Sequence, residues 1–503
     1  MRVPVFIAWV FVLLAGCTAP APRPADSISD WTSYNRDLAG HRFSPLAQIR
    51  AANAGKLRRL CVAPLAETGA LQAGILEIGG VLYVTTAHDT YAIDAATCAL
   101  RWTNVHAIAG PEPNPVDRGV AWDGGTRLIR GTPDAHLIAI DLRDGHTLWD
   151  VAPGNGAHGE FLSSAPIVWN GFVYIGTAGG SWGASGRMMA FNLTDGSLRW
   201  TFHTIAPGSG RLVGGGLWTS YALDATTREL FISVGNPAPD FAPAYRPGDN
   251  LYTDSLVALD PLDGHLKWYY QAVRADEHDW DLASPADLVT LGALRLAVVA
   301  GKDGYVYGVD RSTHRLRWRT PEVRMQNVDR PATPQGTRVC PGALGGAEWN
   351  GTAYDERNHL LLTPMDDWCG TFKLEAVRRQ PGGLFQGGTF IRDPYEQARG
   401  VLTATDPRTG AVVWQYRSAT PMVAGVTPTA GDITFTGDLA GNVLVFETRT
   451  GRVLYRDLTQ GGIAGGVITY ALDGRQYVAL TSGNISRFTW GPHGRPTIVI
   501  YSL

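Results

Sequence analysis

Ser255-Leu-Val-Ala-Leu-Asp-Pro-Leu-Asp-Gly-His-Leu-Lys-Trp268 is the stretch whose reading decides the fold. An apolar strand runs into Asp260, a turn carrying Gly264 follows, and an apolar residue leads to Trp268. The same order, often with the Gly, recurs at 94–102, 141–149, 192–200 (Asn192 for Asp), 310–318 and 406–414, with Glu447 for Asp and Tyr in place of Trp at 447–455. The last residues of successive copies lie 47, 51, 68, 50, 96 and 41 positions apart. A repeat of this length made of short strands predicts a β-propeller, one copy per blade. Asp and Gly suit the turn, and the indole can pack between neighbouring blades.

Two spacings stand out. The wide gap before Trp414 reads as one blade with a loop insertion at about 365–399; a degenerate extra blade ending at Trp368 is the alternative. The other long copy has a surplus at 238–252, rich in Pro and Gly, which reads as a functional loop. After Tyr455 the segments 466–470, 476–480 and 497–501 read as strands without the repeat motif. The expected fold is therefore all-β: an eight-bladed propeller over 31–503, closed by strands from both chain ends, because closure removes exposed sheet edges.

Composition agrees. The 503 residues include 60 Gly and 16 Trp, suited to short strands and tight turns. With 43 basic and 46 acidic side chains the charge is balanced, and no nucleic-acid partner is indicated.

The first residues read as targeting rather than fold. Met1-Arg2 is followed by an apolar run to Leu14, and Leu14-Ala-Gly-Cys17 has the form of a lipoprotein cleavage box. Residues 1–16 are then a signal peptide, Cys17 carries lipid, and 17–30 form a tether. An ordinary cleaved signal peptide with an incidental cysteine is the alternative. No later run approaches the roughly 18 apolar residues of a membrane span. The expected location is the periplasmic side of a bacterial membrane, with the outer membrane favoured. Of the other four cysteines, Cys61 with Cys98 and Cys340 with Cys369 are the favoured pairs, each close in sequence, with other connectivities open. No Cys-x-x-Cys-His is present, so no covalent haem is encoded.

Candidate chemistry clusters between Gly214 and Asp281. Trp218 follows three glycines, which let backbone approach a ligand while the indole offers a stacking face; another blade-packing Trp is the plain alternative. Asn236, between Gly235 and Pro237, offers an amide oxygen for a hard cation such as calcium, or simply forms a turn. Asp276, Glu277, His278, Asp279 and Asp281 form an acidic cluster that can hold a general base or metal ligands, or a solvated loop. Arg118 and Lys302, each just before a strand in different blades, can face a shared anionic ligand in the channel, or solvent.

These residues also carry a family resemblance. Trp31-Thr-Ser-Tyr-Asn-Arg-Asp-Leu-Ala-Gly-His-Arg-Phe-Ser-Pro-Leu46, Gly235-Asn-Pro-Ala-Pro239 with Arg246-Pro-Gly-Asp-Asn250, and Gly474-Arg-Gln-Tyr-Val-Ala479 resemble the quinoprotein alcohol dehydrogenases, which bind pyrroloquinoline quinone (PQQ) in an eight-bladed propeller. The likeness covers 31–484. It implies that Trp218 stacks under PQQ, Arg118 and Lys302 bind its oxygens, Asn236 and Asp281 ligate calcium, and Asp281 takes the alcohol proton, with Asp279 in reserve. Ala283 stands where lanthanide-using relatives have a further Asp, which implies calcium. Ser181 falls where the family has its metal-binding Glu, and Glu112-Pro-Asn-Pro-Val116 replaces the adjacent-cysteine disulfide. The implied activity is oxidation of an alcohol by hydride transfer to PQQ, with electrons passing to a cytochrome c or a membrane quinone. The Ser181 and disulfide departures motivate an alternative: a lipid-anchored scaffold or binding protein with a decayed quinone site.

Overall fold

The computed structural model describes residues 28–486 and 493–503. The expected signal peptide, Cys17 and the tether as far as residue 27 lie outside the described residues. The last tether residues belong to the packed body. Asp30 is buried and its carboxylate accepts the Gly79 N–H at 3.2 Å, while the Ser29 carbonyl accepts the Ala471 N–H at 2.9 Å.

Eight four-stranded antiparallel sheets are present among the described residues. Blades one to seven span 75–105, 121–151, 167–203, 222–271, 287–321, 353–418 and 427–458. Blade eight joins Val467–Leu472, Arg475–Ser482 and Thr497–Ser502 to the early strand Arg58–Pro64, which pairs with Thr497–Ser502. Its innermost strand, Val467–Leu472, lies against the innermost strand of blade one, Ile75–Ile78. One apolar cluster there holds Ile75 and Tyr83 of blade one, Ile138 of blade two, and Ile468 and Ile500 of blade eight.

Where the repeat motif ends in Trp, it performs one mechanical task. The Trp ends the motif on the outermost strand and lies opposite a small residue: Trp102 faces Ala92, Trp149 faces Ala139, Trp318 faces Gly308. Its ring then covers the motif's turn glycine in the next blade. A methyl group on Gly145 would stand 2.5 Å from Trp102, and one on Gly264 would stand 2.4 Å from Trp200. These positions have φ of +80° and +76°, so glycine is required both for conformation and for clearance. The indole N–H donates to a carbonyl of the neighbouring turn: Trp149 to Leu193 at 3.2 Å, Trp200 to Pro261 at 3.0 Å, Trp318 to Pro407 at 2.9 Å. Blade five departs from the rule. There His314 replaces the glycine and stacks on Trp268 with centroids 4.8 Å apart, and the Trp268 N–H turns to the Glu229 carboxylate.

The long gap is resolved as an insertion, with no extra blade ending at Trp368. Strand Leu360–Asp367 extends through Met365, so the insertion starts later than the sequence suggested. It forms the hairpin Gly370–Leu374 and Gly388–Arg392, to which Thr337–Val339 from the connection before blade six adds a third strand. Cys340–Cys369 ties those two excursions together, and Cys61–Cys98 ties blade eight to the turn of blade one. The 238–252 surplus begins with Pro237–Ala238, which pairs with Val213–Gly214.

Candidate active site

In an antiparallel four-stranded blade, the connection between the second and third strands and the connection to the next blade emerge on the same face. Every candidate side chain lies on such a connection. Arg118 precedes blade two, Ser181 and Lys302 lie between second and third strands of blades three and five, Trp218 precedes blade four, Asn236 lies within blade four, and Asp279 and Asp281 lie between blades four and five. All seven line one cavity of about 470 Å³, within the range of small-molecule sites. Phe390 and Arg392 of the inserted hairpin and Gln386 just before it line it too.

Asp281 is the hub. Its Oδ1 accepts the Trp218 indole N–H at 3.1 Å and the Asn236 backbone N–H at 3.0 Å. Its Oδ2 meets Lys302 Nζ at 2.7 Å. Gly235 makes this possible, because a methyl group there would stand 2.4 Å from Asp281 Oδ1. The Lys302 ammonium also lies 3.5 Å from Asp279 Oδ2 and 5.3 Å from the centre of the Trp218 ring. Burial disfavours the lysine charge, but Asp279, Asp281 and Glu348 outweigh it and hold the ammonium well above its ordinary range. Arg118 lies between two indoles, 4.9 Å from Trp218 and 5.0 Å from Trp349, and donates to Ser163 Oγ at 3.1 Å and to the Trp218 carbonyl at 2.9 Å. Burial brings its guanidinium down to about 10, which leaves it charged at neutral pH.

The acidic run divides. Asp276 accepts the N–H groups of His278 and Trp280, both at 3.0 Å, and so shapes the turn. Glu277 accepts the Ala332 N–H at 3.2 Å, and His278 meets the Arg330 carbonyl at 3.1 Å while packing on Trp280 and Phe372. Only Asp279 and Asp281 of the run line the cavity. Burial, partly offset by Lys302 and reinforced by Asp281, pushes Asp279 well above the usual carboxylate range.

Residues 31–324 match the family described as "Glucose/ethanol/alcohol dehydrogenase, beta-propeller domain", designated PQQ. The chain belongs to that family. A second match, to the family described as outer membrane protein assembly factor BamB, covers 398–489. Among individual members of known name, the chain is 28% identical to the quinoprotein alcohol dehydrogenase PedH of Pseudomonas putida, with 89% of this chain and 84% of that protein covered. It is 28% identical to the quinoprotein ethanol dehydrogenase of Pseudomonas aeruginosa, covering 90% and 86%. The solved europium-containing methanol dehydrogenase superposes with a TM-score of 0.86 at 23% identity, covering 94% of this chain and 98% of that one. The quinohemoprotein alcohol dehydrogenase of Comamonas testosteroni superposes at 0.85 and 24%, covering 95% and 81%. A BamB structure from Moraxella catarrhalis superposes at only 0.51 and 15%, covering 89% and 100%.

Three site residues escaped the sequence reading. Glu348 lines the cavity, and burial raises its carboxyl to about 7 against the pull of Lys302. Trp349 donates its N–H to the Ala464 carbonyl at 2.7 Å and forms the second wall beside Arg118. Both follow Gly345-Gly-Ala347, and a glycine pair ahead of a buried charge was the available signal. Asp240 is fully buried beside Ser181 and Gln386, and burial raises it to about 7 despite the nearby Ser181 hydroxyl and Arg246. It lies inside the 238–252 surplus, where Pro239 and Phe241 on either side give no hint of chemistry.

The donor set fits a metal ion and a flat anionic cofactor. Five buried acids, Asp240, Asp254, Asp276, Asp281 and Glu348, and the half-buried Asp279 stand among three buried cations, Arg118, Arg246 and Lys302. Both oxygens of Asp240 and of Asp254 meet no hydrogen-bond partner. Buried carboxylates in excess of their counter-charges call for a cation.

Proposed function

We propose that the chain is a PQQ-dependent dehydrogenase that oxidises an alcohol and passes electrons to a separate acceptor, a cytochrome c or a membrane quinone. The observation that carries this reading is the convergence of Trp218, Asn236 and Lys302 on the Asp281 carboxylate inside one cavity of about 470 Å³. When bound, PQQ accepts the hydride and calcium polarises its carbonyl. Trp218 supplies the stacking face, and Arg118 and Lys302 hold the cofactor's anionic oxygens. Asn236, Asp281 and Ser181 face the metal position.

Asp281 acts as the base toward the substrate hydroxyl. The two N–H donors and the ammonium fix the orientation of its carboxylate, so no rotamer search precedes proton transfer. The inserted hairpin contributes Phe390 and Arg392 to the cavity wall. A scaffold with a decayed site has no need to bury Lys302 among carboxylates or Arg118 between indoles, and the BamB family match covers only residues 398–489 of this chain.

The reading includes export, with signal peptide 1–16 removed, Cys17 lipidated, and the propeller on the periplasmic side of a membrane, the outer membrane favoured. The decisive experiment is reconstitution of purified protein with PQQ and calcium, followed by dye reduction over a panel of alcohols. Absence of both PQQ binding and turnover refutes the proposal.

A further inference from the structure

We propose that Asp240 provides the carboxylate arm of the metal site, the role a serine at position 181 cannot fill. This rests on the metal-dependent reading above. Asp240 is 0% exposed, and neither Oδ1 nor Oδ2 meets a hydrogen-bond partner. The Ser181 and Gln386 side chains stand close enough to favour its charged form, which sets the carboxylate against two residues of the cavity wall. Arg246 is the nearest cation, but it spends its N–H groups on the carbonyls of Pro239, Asp240 and Asp276 and on Asn250 Oδ1. Those bonds clamp the backbone of the loop and leave the Asp240 side chain unused. The Phe241 N–H to the Gln386 carbonyl, at 2.8 Å, holds the next residue to the segment leading into the inserted hairpin.

The Asp240 carboxylate borders the Ser181 side of the cavity. It stands near Ser181 and Gln386, both on the cavity wall, and near enough to Asp281 and Asp279 to be repelled by them. Asn236, whose amide oxygen is the proposed neutral ligand, lies four residues earlier on the same loop. Calcium takes six to eight oxygens and draws its affinity chiefly from carboxylates. With Ser181 alone beside Asn236 and Asp281, a single carboxylate serves the ion; with Asp240 there are two. A divalent ion between them also removes the repulsion that the metal-free cluster carries.

The test uses full-length protein and calcium itself, by calorimetric titration with and without PQQ, together with terbium luminescence excited through the site's indoles. Asp240→Asn is expected to weaken calcium binding at least tenfold, and Asp240→Glu to retain most of it. In chelator the melting temperature of Asp240→Asn should equal or exceed that of the wild type, since a buried repulsive charge is gone, while its rise on adding calcium should shrink. If Asp240→Asn does not fold, Asp240→Glu and Asp240→Ser decide the matter by the same titration. Calcium affinity unchanged in Asp240→Asn, with wild type binding normally, overturns this inference and leaves the dehydrogenase reading standing. Wild-type protein that binds neither calcium nor PQQ overturns both.

Discussion

Asp281→Asn should separate catalysis from folding. The amide keeps one oxygen able to accept the Trp218 and Asn236 N–H groups, so the two bonds at 3.1 and 3.0 Å survive. What is lost is the charge facing Lys302 at 2.7 Å. Removing one partner of a buried pair ordinarily costs about 3–5 kcal/mol, because the other charge is stranded. Here Lys302 keeps Asp279 at 3.5 Å and the field of Glu348, and the loss of a negative charge relieves Asp279 and Asp240, which Asp281 repels. These terms oppose each other, and the net change in stability should be about 1–2 kcal/mol, a small shift in melting temperature for a chain this long. Turnover should fall by about 10²- to 10⁴-fold, the usual cost of losing a general base. The assay is dye reduction by PQQ-reconstituted enzyme, with PQQ retention read from its absorbance and folding from calorimetry. Near wild-type turnover in Asp281→Asn, with Asp279→Asn inactive, would refute the assignment and make Asp279 the base.

Other expectations follow from single contacts. Gly264→Ala should cost about 1–3 kcal/mol by overpacking against Trp200, more than Gly292→Ala, whose methyl group meets nothing, although both have positive φ; calorimetry on the pair checks this. Asp224 links blade four to Arg295 and Arg311 of blade five at 3.0 and 2.6 Å. Burial pulls its pKa upward, but the Arg311 hydrogen bond and backbone N–H groups prevail and bring it from 3.8 to about 2. A depressed folded pKa means stability present above 3.8 and lost as pH falls through 2, so the melting-temperature gap between wild type and Asp224→Asn should be full at neutral pH and close below pH 4. Cys340→Ser should free the inserted hairpin, an effect of about 2–4 kcal/mol on that element, read as faster proteolysis at 370–392 with the blade cores still protected. Cys17→Ser should shift the protein from membrane to soluble fraction; unchanged partitioning would show that Cys17 is not the anchor.

What the sequence by itself determined is the part of the molecule built from local rules. Most blades repeat strand, Asp, turn and Trp, several with a turn Gly, because one turn and one neighbouring contact suffice to define them. The Trp102 and Gly145 contact is therefore legible without knowing where the ring lies. Trp218, Asn236 and Asp281 were legible for a similar reason, since glycines and an acidic run mark places where backbone and charge crowd together. Tertiary structure alone decided which members of that run work together. Neighbouring side chains in a turn point in different directions, so Glu277 and His278 go to the connection before blade six while Asp279 and Asp281 enter the cavity. It also brought Lys302 and Glu348, distant in sequence, against Asp281, and left Asp240 buried with both oxygens free. Such groupings depend on through-space charge and burial across several blades, and a linear pattern carries no record of either.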